Sequence, residues 1–247
     1  MELLLLSSSR TPAGYFTDYL AEVRAFAAGA RRAVFVPFAA VSLPWNEFAT
    51  RVRDATRLDL AVATKVDDLE DADLVVVGGG NTFQLLRECR SRGVLEAIGR
   101  RVKERNARYL GWSAGANIAC PTIKTTNDMP IVDPRGLDAL GLIPFQINPH
   151  YLSLTVPGHH GETRNDRLGE FARANPALPV IGLPEGDWLR VSGASIELRG
   201  AHQAMWFAGE KAPAPLVPIC AYASGTWRKL AASNAAYEEK RTDRTPR

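Results

Sequence analysis

The sequence predicts a single α/β domain in which a mostly parallel central sheet is flanked by helices. Several short runs, such as Leu3–Leu6 and Leu74–Val77, are apolar throughout, which is typical of strands buried on both faces. Segments with helical spacing of apolar residues separate these runs, and this alternation favours parallel strands joined by helices. Glycine-rich turns follow two of the runs, at points where strands of such a sheet lead into helices.

The first half of the chain has a regular order of predicted elements. The strands are predicted at Leu3–Leu6, Ala33–Val36, Leu58–Ala63, Leu74–Val77 and Ala107–Leu110. The helices are predicted at Phe16–Ala28, Trp45–Thr56, Thr82–Arg90 and Val94–Asn106, with a short acidic helix or turn at Asp67–Ala72. Gly29 suits a helix C-cap, and Pro37 ends the second strand. The glycine turns after Val77 and Leu110 are expected at the carboxyl edge of the sheet, where the sites of such folds lie.

The second half is less regular. Prolines and glycines recur between Thr122 and Pro149, which predicts an excursion of loops and short strands. The elements expected after it are a loop at Leu152–His160, a helix at Glu162–Ala174, strands at Val180–Leu183 and Trp188–Val191, and a closing hairpin of Ile196–Leu198 with Ala204–Phe207. We place the end of the α/β domain at residue 209. Residues 210–247 form a C-terminal extension, and its charged end, Glu238–Arg247, is expected to be mobile.

Composition limits the classes of function. Hydrophobic residues make up 46% of the chain and charged residues 23%, as in ordinary globular proteins. The formal net charge is +3 without a basic block before the last few residues, which argues against a nucleic-acid partner. Three widely spaced cysteines favour buried thiols in a reducing compartment over a disulfide framework or zinc site. The apolar run at the start is too short for a signal peptide, and no run is long enough for a membrane span, so a cytoplasmic protein is expected.

The motif with the clearest chemistry is Gly-Trp-Ser-Ala-Gly at Gly111–Gly115. It lies between a predicted strand and a predicted helix, which is the position of a nucleophile elbow. A strained turn and a tight strand-to-helix crossing need residues without a bulky Cβ. Ser113 is therefore the candidate nucleophile, and the backbone N–H of Ala114 is a candidate oxyanion donor. The alternative is a glycine-rich turn with a serine on the surface.

A serine nucleophile needs a base and a group that orients the base. His150 ends the apolar run that begins at Gln146, so its ring is expected at the edge of a sheet. His160, which adjoins His159 in a loop, is the second candidate, and a structural histidine is the alternative for each. Glu185 follows a buried strand between a proline and a glycine, and a carboxylate there is costly unless it is paired. A solvated turn glutamate is the alternative interpretation.

The second glycine-rich turn, Gly78–Asn81, resembles a phosphate loop only at first sight. It lacks the Lys-Ser/Thr pair of a P-loop and is not a dinucleotide fingerprint. Beside a serine elbow, its N–H groups predict a second oxyanion donor, from Gly79 or Gly80. Two other polar stretches, Asn127–Pro130 and Gly161–Arg164, are by themselves more typical of a surface than of a site.

A set of ordered sequence runs resembles the peptidase E family, the α-aspartyl dipeptidases among the S51 serine peptidases. The runs are MELLLLS from Met1, RRAVFVPFA from Arg31, VVGGGNTFQLL from Val76, GWSAGAN from Gly111, ACPTIKTTNDMPIVDP from Ala119, QINPH from Gln146, GETR from Gly161 and GLPEGDW from Gly182. They span the chain from Met1 to about Trp206. The resemblance implies a fold like that of class I glutamine amidotransferase domains. The tail after Gly209 is longer than the family pattern.

The resemblance implies that Ser113 is the nucleophile, His150 the base and Glu185 the orienting acid. The oxyanion hole would be formed by the turn at Gly79–Gly80 and by the N–H of Ala114. The implied substrate is a small dipeptide with a free amino-terminal aspartate, cut after that aspartate.

Two further roles are implied for charged residues. Arg164 would bind the aspartyl side chain, because a guanidinium pairs with a carboxylate through two hydrogen bonds. Asp128 would hold the amino group of the substrate or support the site from behind. No cofactor or metal is expected, and the assembly is expected to be a monomer or a small homo-oligomer.

Three other functions stay open on the sequence. One is a cyanophycinase-like enzyme, or another serine hydrolase or esterase, that acts on a different acidic substrate. Another is an inactive binding module on the same scaffold, although all three triad positions are filled. The third is cysteine catalysis by Cys120, whose apolar context suits an inert thiol better.

Overall fold

Strands and helices alternate along the first half of the chain. The computed structural model describes residues 1–153, 158 and 160–216, together with the backbone of two later strands. The strands are β1 (Glu2–Leu6), β2 (Arg10–Thr11), β3 (Gly14–Tyr15), β4 (Ala33–Val36), β5 (Leu60–Val62), β6 (Leu74–Val77), β7 (Arg108–Trp112), β8 (Gln146–Tyr151), β9 (Val180–Pro184), β10 (Trp188–Ser192), β11 (Ser195–Arg199), β12 (Met205–Phe207), β13 (Ala214–Pro215), β14 (Ile219–Ala223) and β15 (Thr226–Lys229). The helices are α1 (Leu20–Ala27), α2 (Trp45–Thr56), α3 (Thr82–Ser91), α4 (Val94–Lys103), α5 (Ala114–Ile118) and α6 (Arg164–Ala174), with 3-10 helices at Thr17–Tyr19 and Val66–Leu69.

The main sheet has nine strands in the order β15-β14-β11-β10-β1-β7-β6-β4-β5. The strands from β1 to β5 in this order are parallel. The others extend the sheet in antiparallel fashion beyond β1. This arrangement confirms the mostly parallel central sheet flanked by helices that the sequence predicts. It also places the carboxyl ends of β6 and β7 side by side, where both glycine turns begin.

The core lies on both faces of the main sheet. Along β6, Val75 and Val77 face the cluster that includes residues of α3 and α4. The alternate residue, Val76, faces the cluster formed with α1 and α2. All three side chains are fully buried, which explains why this strand has no polar position. No helix among the described residues has both the length and the apolarity to cross a membrane.

A second sheet of four strands, in the order β13-β12-β9-β8, forms beside the first. Helix α5 joins the two sheets, because Asn117 Nδ2 donates to the Ile147 carbonyl of β8 at 2.8 Å. The backbone N–H of Ile147 also lies 3.1 Å from the Cys120 sulfur. On the other side, Leu168 of α6 packs in a cluster with Phe207 of β12. The sequence predicted one sheet and no second layer of this kind.

The predicted closing hairpin of Ile196–Leu198 with Ala204–Phe207 is wrong. Strand β11 pairs instead with β10 and β14, and β12 pairs with β9 and β13. The hairpin is made by β10 and β11 around Gly193, whose φ is 57°. Alternation of apolar residues predicts a strand but not its neighbour, and Phe207 finds its packing partners in the second sheet.

Residues on both sides of position 209 contribute to the sheets. Strand β13 extends the second sheet and β14 extends the first. Two predictions fall on residues that lie outside those described. One is the mobility of Glu238–Arg247, and the other is the part of the predicted loop at 154–157 and 159.

The predicted boundaries of some elements agree with the observed ones, and others do not. Helix α2 and strand β6 have the predicted bounds. The predicted helix Phe16–Ala28 is shorter, because Phe16 has a φ of 60° and a 3-10 turn precedes α1. A left-handed residue cannot continue into an α-helix, so the chain enters α1 only at Leu20.

Candidate active site

Ser113 lies at a sharp turn between β7 and α5. Its backbone has φ 52° and ψ −115°, a conformation that residues other than glycine rarely adopt. Strain of this kind is characteristic of functional sites, where the surrounding fold holds it in place. The turn raises the serine hydroxyl above the carboxyl edge of the sheet, as in a nucleophile elbow.

The two glycines of the motif are required by close backbone contacts. A Cβ on Gly111 would collide with the carbonyl of Gly115, and a Cβ on Gly115 would collide with the carbonyl of Val77. Helix α5 therefore starts directly against strands β6 and β7. Only residues without a side chain permit this approach, so the spacing of the motif is a packing requirement of the elbow.

His150 lies in an irregular part of β8. The register between β8 and β9 shifts between Asn148 and Tyr151, and His150 has a φ of 55°. Pro149 is tolerated at this place because β8 is an edge strand. Bulges near active sites redirect side chains, and this one turns the imidazole toward Ser113.

The three predicted triad residues form one chain of hydrogen bonds. Ser113 Oγ is 2.8 Å from His150 Nε2, and His150 Nδ1 is 2.5 Å from Glu185 Oε1. Glu185 occupies the turn after β9, where the Asp187 N–H donates to the Pro184 carbonyl at 3.2 Å. Its side chain is 59% exposed and that of His150 is 38% exposed. The pairing is as expected, but burial of the carboxylate is not the reason for it.

Ser7 connects the backbone of His150 to the segments on either side of Glu185, and sequence reasoning missed it. It follows β1 and is fully buried. Its hydroxyl accepts a hydrogen bond from the His150 N–H at 2.8 Å and donates to the Leu183 carbonyl at 2.8 Å. Its own N–H donates to the Asp187 carbonyl at 3.1 Å. The available signal was a hydroxyl residue directly after a fully apolar strand, at the carboxyl edge of the sheet.

Replacing Ser7 by alanine is expected to lower kcat roughly 10- to 100-fold with little change in KM, because a displacement of the base near 1 Å is enough for such a loss. The matched control is Thr56→Val, which removes another fully buried hydroxyl, one that donates to the Val52 carbonyl. Both variants should lower the melting temperature, and only Ser7→Ala should lower kcat. If Ser7→Ala and Thr56→Val have equal kcat values, Ser7 does not position His150.

Three backbone N–H groups near Ser113 are available to a ligand. A Cβ on Gly79 would lie 3.0 Å from Ser113 Cβ and 2.8 Å from the Trp112 ring, so this backbone lies against the serine. Gly80 has a φ of 139°. The N–H groups of Gly79, Gly80 and Ala114 donate no hydrogen bond within the described part of the chain. Unpaired N–H groups beside a nucleophile are the elements of an oxyanion hole.

Arg164 is the first residue of α6, which Thr163 and Asp166 cap reciprocally. Its Nη1 donates to Asn127 Oδ1, and Asn127 Nδ2 donates to the Pro149 carbonyl at 2.7 Å. The guanidinium is thus held next to the residue that precedes His150.

Arg164 has no acidic partner in the part of the chain that the structure describes. It is half-buried and forms no ion pair with a carboxylate of the described residues. Burial, and secondarily the charge of Arg167, lower the pKa of Arg164. A negative partner would relieve both effects, so the guanidinium is suited to a carboxylate ligand.

Asp128 fastens the loop that contains Asn127 to the glycine turn. Its Oδ2 accepts from the Thr82 N–H at 2.7 Å, from the Thr82 hydroxyl at 2.6 Å and from the Thr126 hydroxyl at 3.1 Å. Asn81 Nδ2 also donates to the Met129 carbonyl at 2.9 Å. Of the two roles considered for Asp128, these contacts favour support of the site over direct contact with substrate.

The other candidate nucleophile and bases lie outside this arrangement. Cys120 is fully buried, and burial raises the pKa of its thiol to about 12, so it does not suit cysteine catalysis. His160 is exposed and not part of the hydrogen-bond chain at Ser113, while His159 lies outside the described residues. Among the described residues no group of three potential metal ligands is found.

A groove of about 730 Å³ opens at Ser113 and His150. It extends away from the triad past the β2–β3 hairpin and α2, and its wall includes Gly79, Gly80 and Trp112. The Trp112 ring is stacked 5.8 Å from that of Phe35, which fixes the floor beneath the elbow. The site can therefore hold a small ligand against both the serine and the free N–H groups.

Comparison with known proteins agrees with this geometry. The chain matches the model of peptidase family S51 over residues 3–199. A protein named Peptidase E from Salmonella arizonae is 49% identical over 223 residues, which cover 87% of this chain and 97% of the relative. A Peptidase E from Citrobacter koseri is 50% identical over 222 residues, covering 86% and 96%.

Two solved structures share the fold at low sequence identity. A peptidase from an acI-B1 actinobacterium has a TM-score of 0.57 with 16% identity, covering 90% of this chain and 96% of that one. A structure from Listeria monocytogenes EGD-e has a TM-score of 0.55 with 22% identity, covering 81% and 98%. These two structures support the fold. The family match and the two relatives of 49% and 50% identity show that this chain is a peptidase and belongs to peptidase family S51.

Proposed function

We propose that this peptidase is a serine dipeptidase that hydrolyses dipeptides with a free amino-terminal aspartate. The observation that carries the proposal is the hydrogen-bond chain from Ser113 through His150 to Glu185, with distances of 2.8 and 2.5 Å. A hydroxyl, an imidazole and a carboxylate in this order can activate the serine by general base catalysis. The relatives named Peptidase E, which match over nearly their whole length, support the same conclusion.

The first half of the reaction forms an acyl-enzyme. Ser113 Oγ attacks the aspartyl carbonyl carbon while His150 Nε2 takes the hydroxyl proton. Glu185 remains ionised and stabilises the imidazolium through Nδ1. As the tetrahedral intermediate collapses, His150 gives the proton to the leaving amine and the peptide bond breaks. The second amino acid leaves with a neutral amino group.

The second half repeats these steps with water. His150 takes a proton from the water as its oxygen attacks the acyl carbon, and returns it to Ser113 Oγ as aspartate leaves. In both halves the oxyanion is stabilised by the N–H of Ala114 and by that of Gly79 or Gly80. Each donor of this kind contributes about 100- to 1000-fold in rate. No step requires a metal ion or cofactor.

Aspartate at the first position is assigned to Arg164. The guanidinium is half-buried, oriented by Asn127 and without an acidic partner among the described residues. A substrate carboxylate would supply the missing negative charge. Asp128 supports this arrangement by fixing the Asn127 loop against the glycine turn.

A cytoplasmic location belongs to the same proposal. Cys89 and Cys120 are free and buried, which suits a reducing compartment. The small net charge of +3 gives no support to a nucleic-acid partner.

The test is hydrolysis of Asp-Leu beside Glu-Leu, Asn-Leu and isoAsp-Leu. We expect Asp-Leu to be cleaved much faster than the other three peptides, because both the charge and the length of the side chain must match Arg164. Labelling by a fluorophosphonate probe is measured on the same samples. A protein that labels at Ser113 but cuts none of the four peptides would keep the serine mechanism and overturn the substrate, in favour of another acidic substrate.

A further inference from the structure

The groove beside Ser113 contains more than the triad uses. Its far wall is formed by the β2–β3 hairpin and by α2 with the segment before it. Apolar surface comes from Tyr15, Leu43 and Phe48, and charged groups come from Arg10, Arg51 and Asp54. Among the described residues, none of these six is a hydrogen-bond or ion-pair partner of the triad side chains, and none has a role in the steps above.

The groove and Arg164 approach the nucleophile from different elements. Arg164 reaches the site from α6 through Asn127 and Pro149. Neither Arg164 nor Asn127 is part of the groove wall within the described residues. A peptide bond held at Ser113 has the acylating residue on one side and the leaving residue on the other. With aspartate at Arg164, the groove is left for the second residue of the dipeptide.

The chemistry of the groove fits a free amino acid as leaving group. Phe48 is buried and Tyr15 and Leu43 are half-buried, so they form an apolar surface for a side chain. In a dipeptide the second residue also ends in a carboxylate only a few bonds from the scissile nitrogen. A cation in the groove would therefore recognise the dipeptide as such.

Arg10 is the cation best placed for this role. Its guanidinium carbon lies 5.7 Å from the centre of the Tyr15 ring. It forms no ion pair with any carboxylate of the described residues, whereas Arg51 pairs with Glu47 at 2.6 Å. Both arginines act on the Tyr15 phenol: burial raises its pKa to about 12, and their charges oppose that rise. They thus face the same apolar surface.

We propose that Arg10, with Arg51 beside it, binds the terminal carboxylate of the dipeptide, while Tyr15, Leu43 and Phe48 bind the side chain of the second residue. The proposal rests on the dipeptidase function and extends it. It explains selection by substrate length, because only a dipeptide places its terminal carboxylate on the second residue, within reach of these arginines.

The experiment compares Asp-Leu with Asp-Leu amide, which lacks the terminal charge. For the natural protein we expect kcat/KM to be about 10- to 100-fold higher for Asp-Leu, as for one charge-assisted contact. Arg10→Gln should lower kcat/KM for Asp-Leu by a similar factor, mainly through KM, and leave Asp-Leu amide unchanged. The charge-matched control is Arg105→Gln, an exposed residue in the turn between α4 and β7, which should change neither.

In Arg10→Gln, Arg51 could take over the contact with the terminal carboxylate and hide the effect. The double variant Arg10→Gln/Arg51→Gln removes both cations and keeps the test decisive. An equal loss of kcat/KM on both substrates would overturn the carboxylate subsite, and so would no loss on either substrate in the double variant. In both cases, cleavage of Asp-Leu by the natural protein preserves the dipeptidase function. If the natural protein cuts neither Asp-Leu nor Asp-Leu amide, the dipeptidase function and the subsite are overturned together.

Discussion

Replacing Ser113 by alanine is expected to reduce kcat for Asp-Leu by about 10⁴-fold or more, the range observed when a serine nucleophile is lost. The imidazole of His150 stays in place but has no hydroxyl to activate. Only the free N–H groups and substrate binding remain to promote attack by water. The measurement is release of leucine under saturating Asp-Leu, since KM should change little.

The control for this variant is Ser91→Ala, which removes an exposed hydroxyl that donates to the Glu88 carbonyl at the end of α3. It should keep full activity and full labelling by a fluorophosphonate. The melting temperature of Ser113→Ala should stay close to that of the natural protein, because alanine adopts the same backbone at φ 52° at a similar cost. Activity above about one per cent in Ser113→Ala would exclude Ser113 as the nucleophile.

Replacing Arg164 by leucine is expected to lower kcat/KM for Asp-Leu by roughly 1000-fold and to abolish its preference over Asn-Leu. The aspartyl carboxylate would enter a half-buried site that has lost the guanidinium held by Asn127. Asn-Leu has nearly the same shape without the charge, so the ratio of the two rates isolates the electrostatic contribution. Arg164→Lys keeps the charge but loses the paired donors, and its activity should be intermediate.

Arg167 provides the control for the charge of Arg164. It lies on the same helix, is more than half exposed and pairs with Glu162 at 3.7 Å. Arg167→Leu should leave the ratio of Asp-Leu to Asn-Leu unchanged. If Arg164→Leu also leaves this ratio unchanged, the aspartate pocket lies elsewhere, and the roles of Arg164 and of the Asn127 loop must be revised.

The serine elbow and the parallel part of the fold are visible in the sequence because each depends on local patterns. A strand buried on both faces must be apolar at every position, which marks Leu74–Val77 without reference to its neighbours. The elbow is equally local, since the contacts that exclude a Cβ at Gly111 involve the turn itself. His150 and Glu185 also stand out locally, at the ends of apolar runs, but that signal leaves a structural histidine and a solvated glutamate open as alternatives. Resemblance to a known family selected the triad among these interpretations.

Other features depend on which strands become neighbours. The apolar residues of Ile196–Leu198 and Ala204–Phe207 fit two strands, but their pairing in different sheets follows from packing partners far along the chain. The bulge that turns His150 toward Ser113 depends on the register between β8 and β9. Nothing in the residues around His150 specifies that register.

The sequence by itself determined the order of elements, the elbow at Ser113 and the chemical types available at the site. These depend on backbone sterics and on burial of apolar side chains, which act over a few residues. Only the tertiary structure decided that the Ser7 hydroxyl joins the His150 N–H to the Leu183 carbonyl, and that Arg10 lines the groove at Ser113 while Arg164 is held by Asn127. The two Ser7 contacts join residues 176 and 143 positions apart, and the Arg164 contact joins residues 37 positions apart. Their geometry exists only after both sheets have packed against α5.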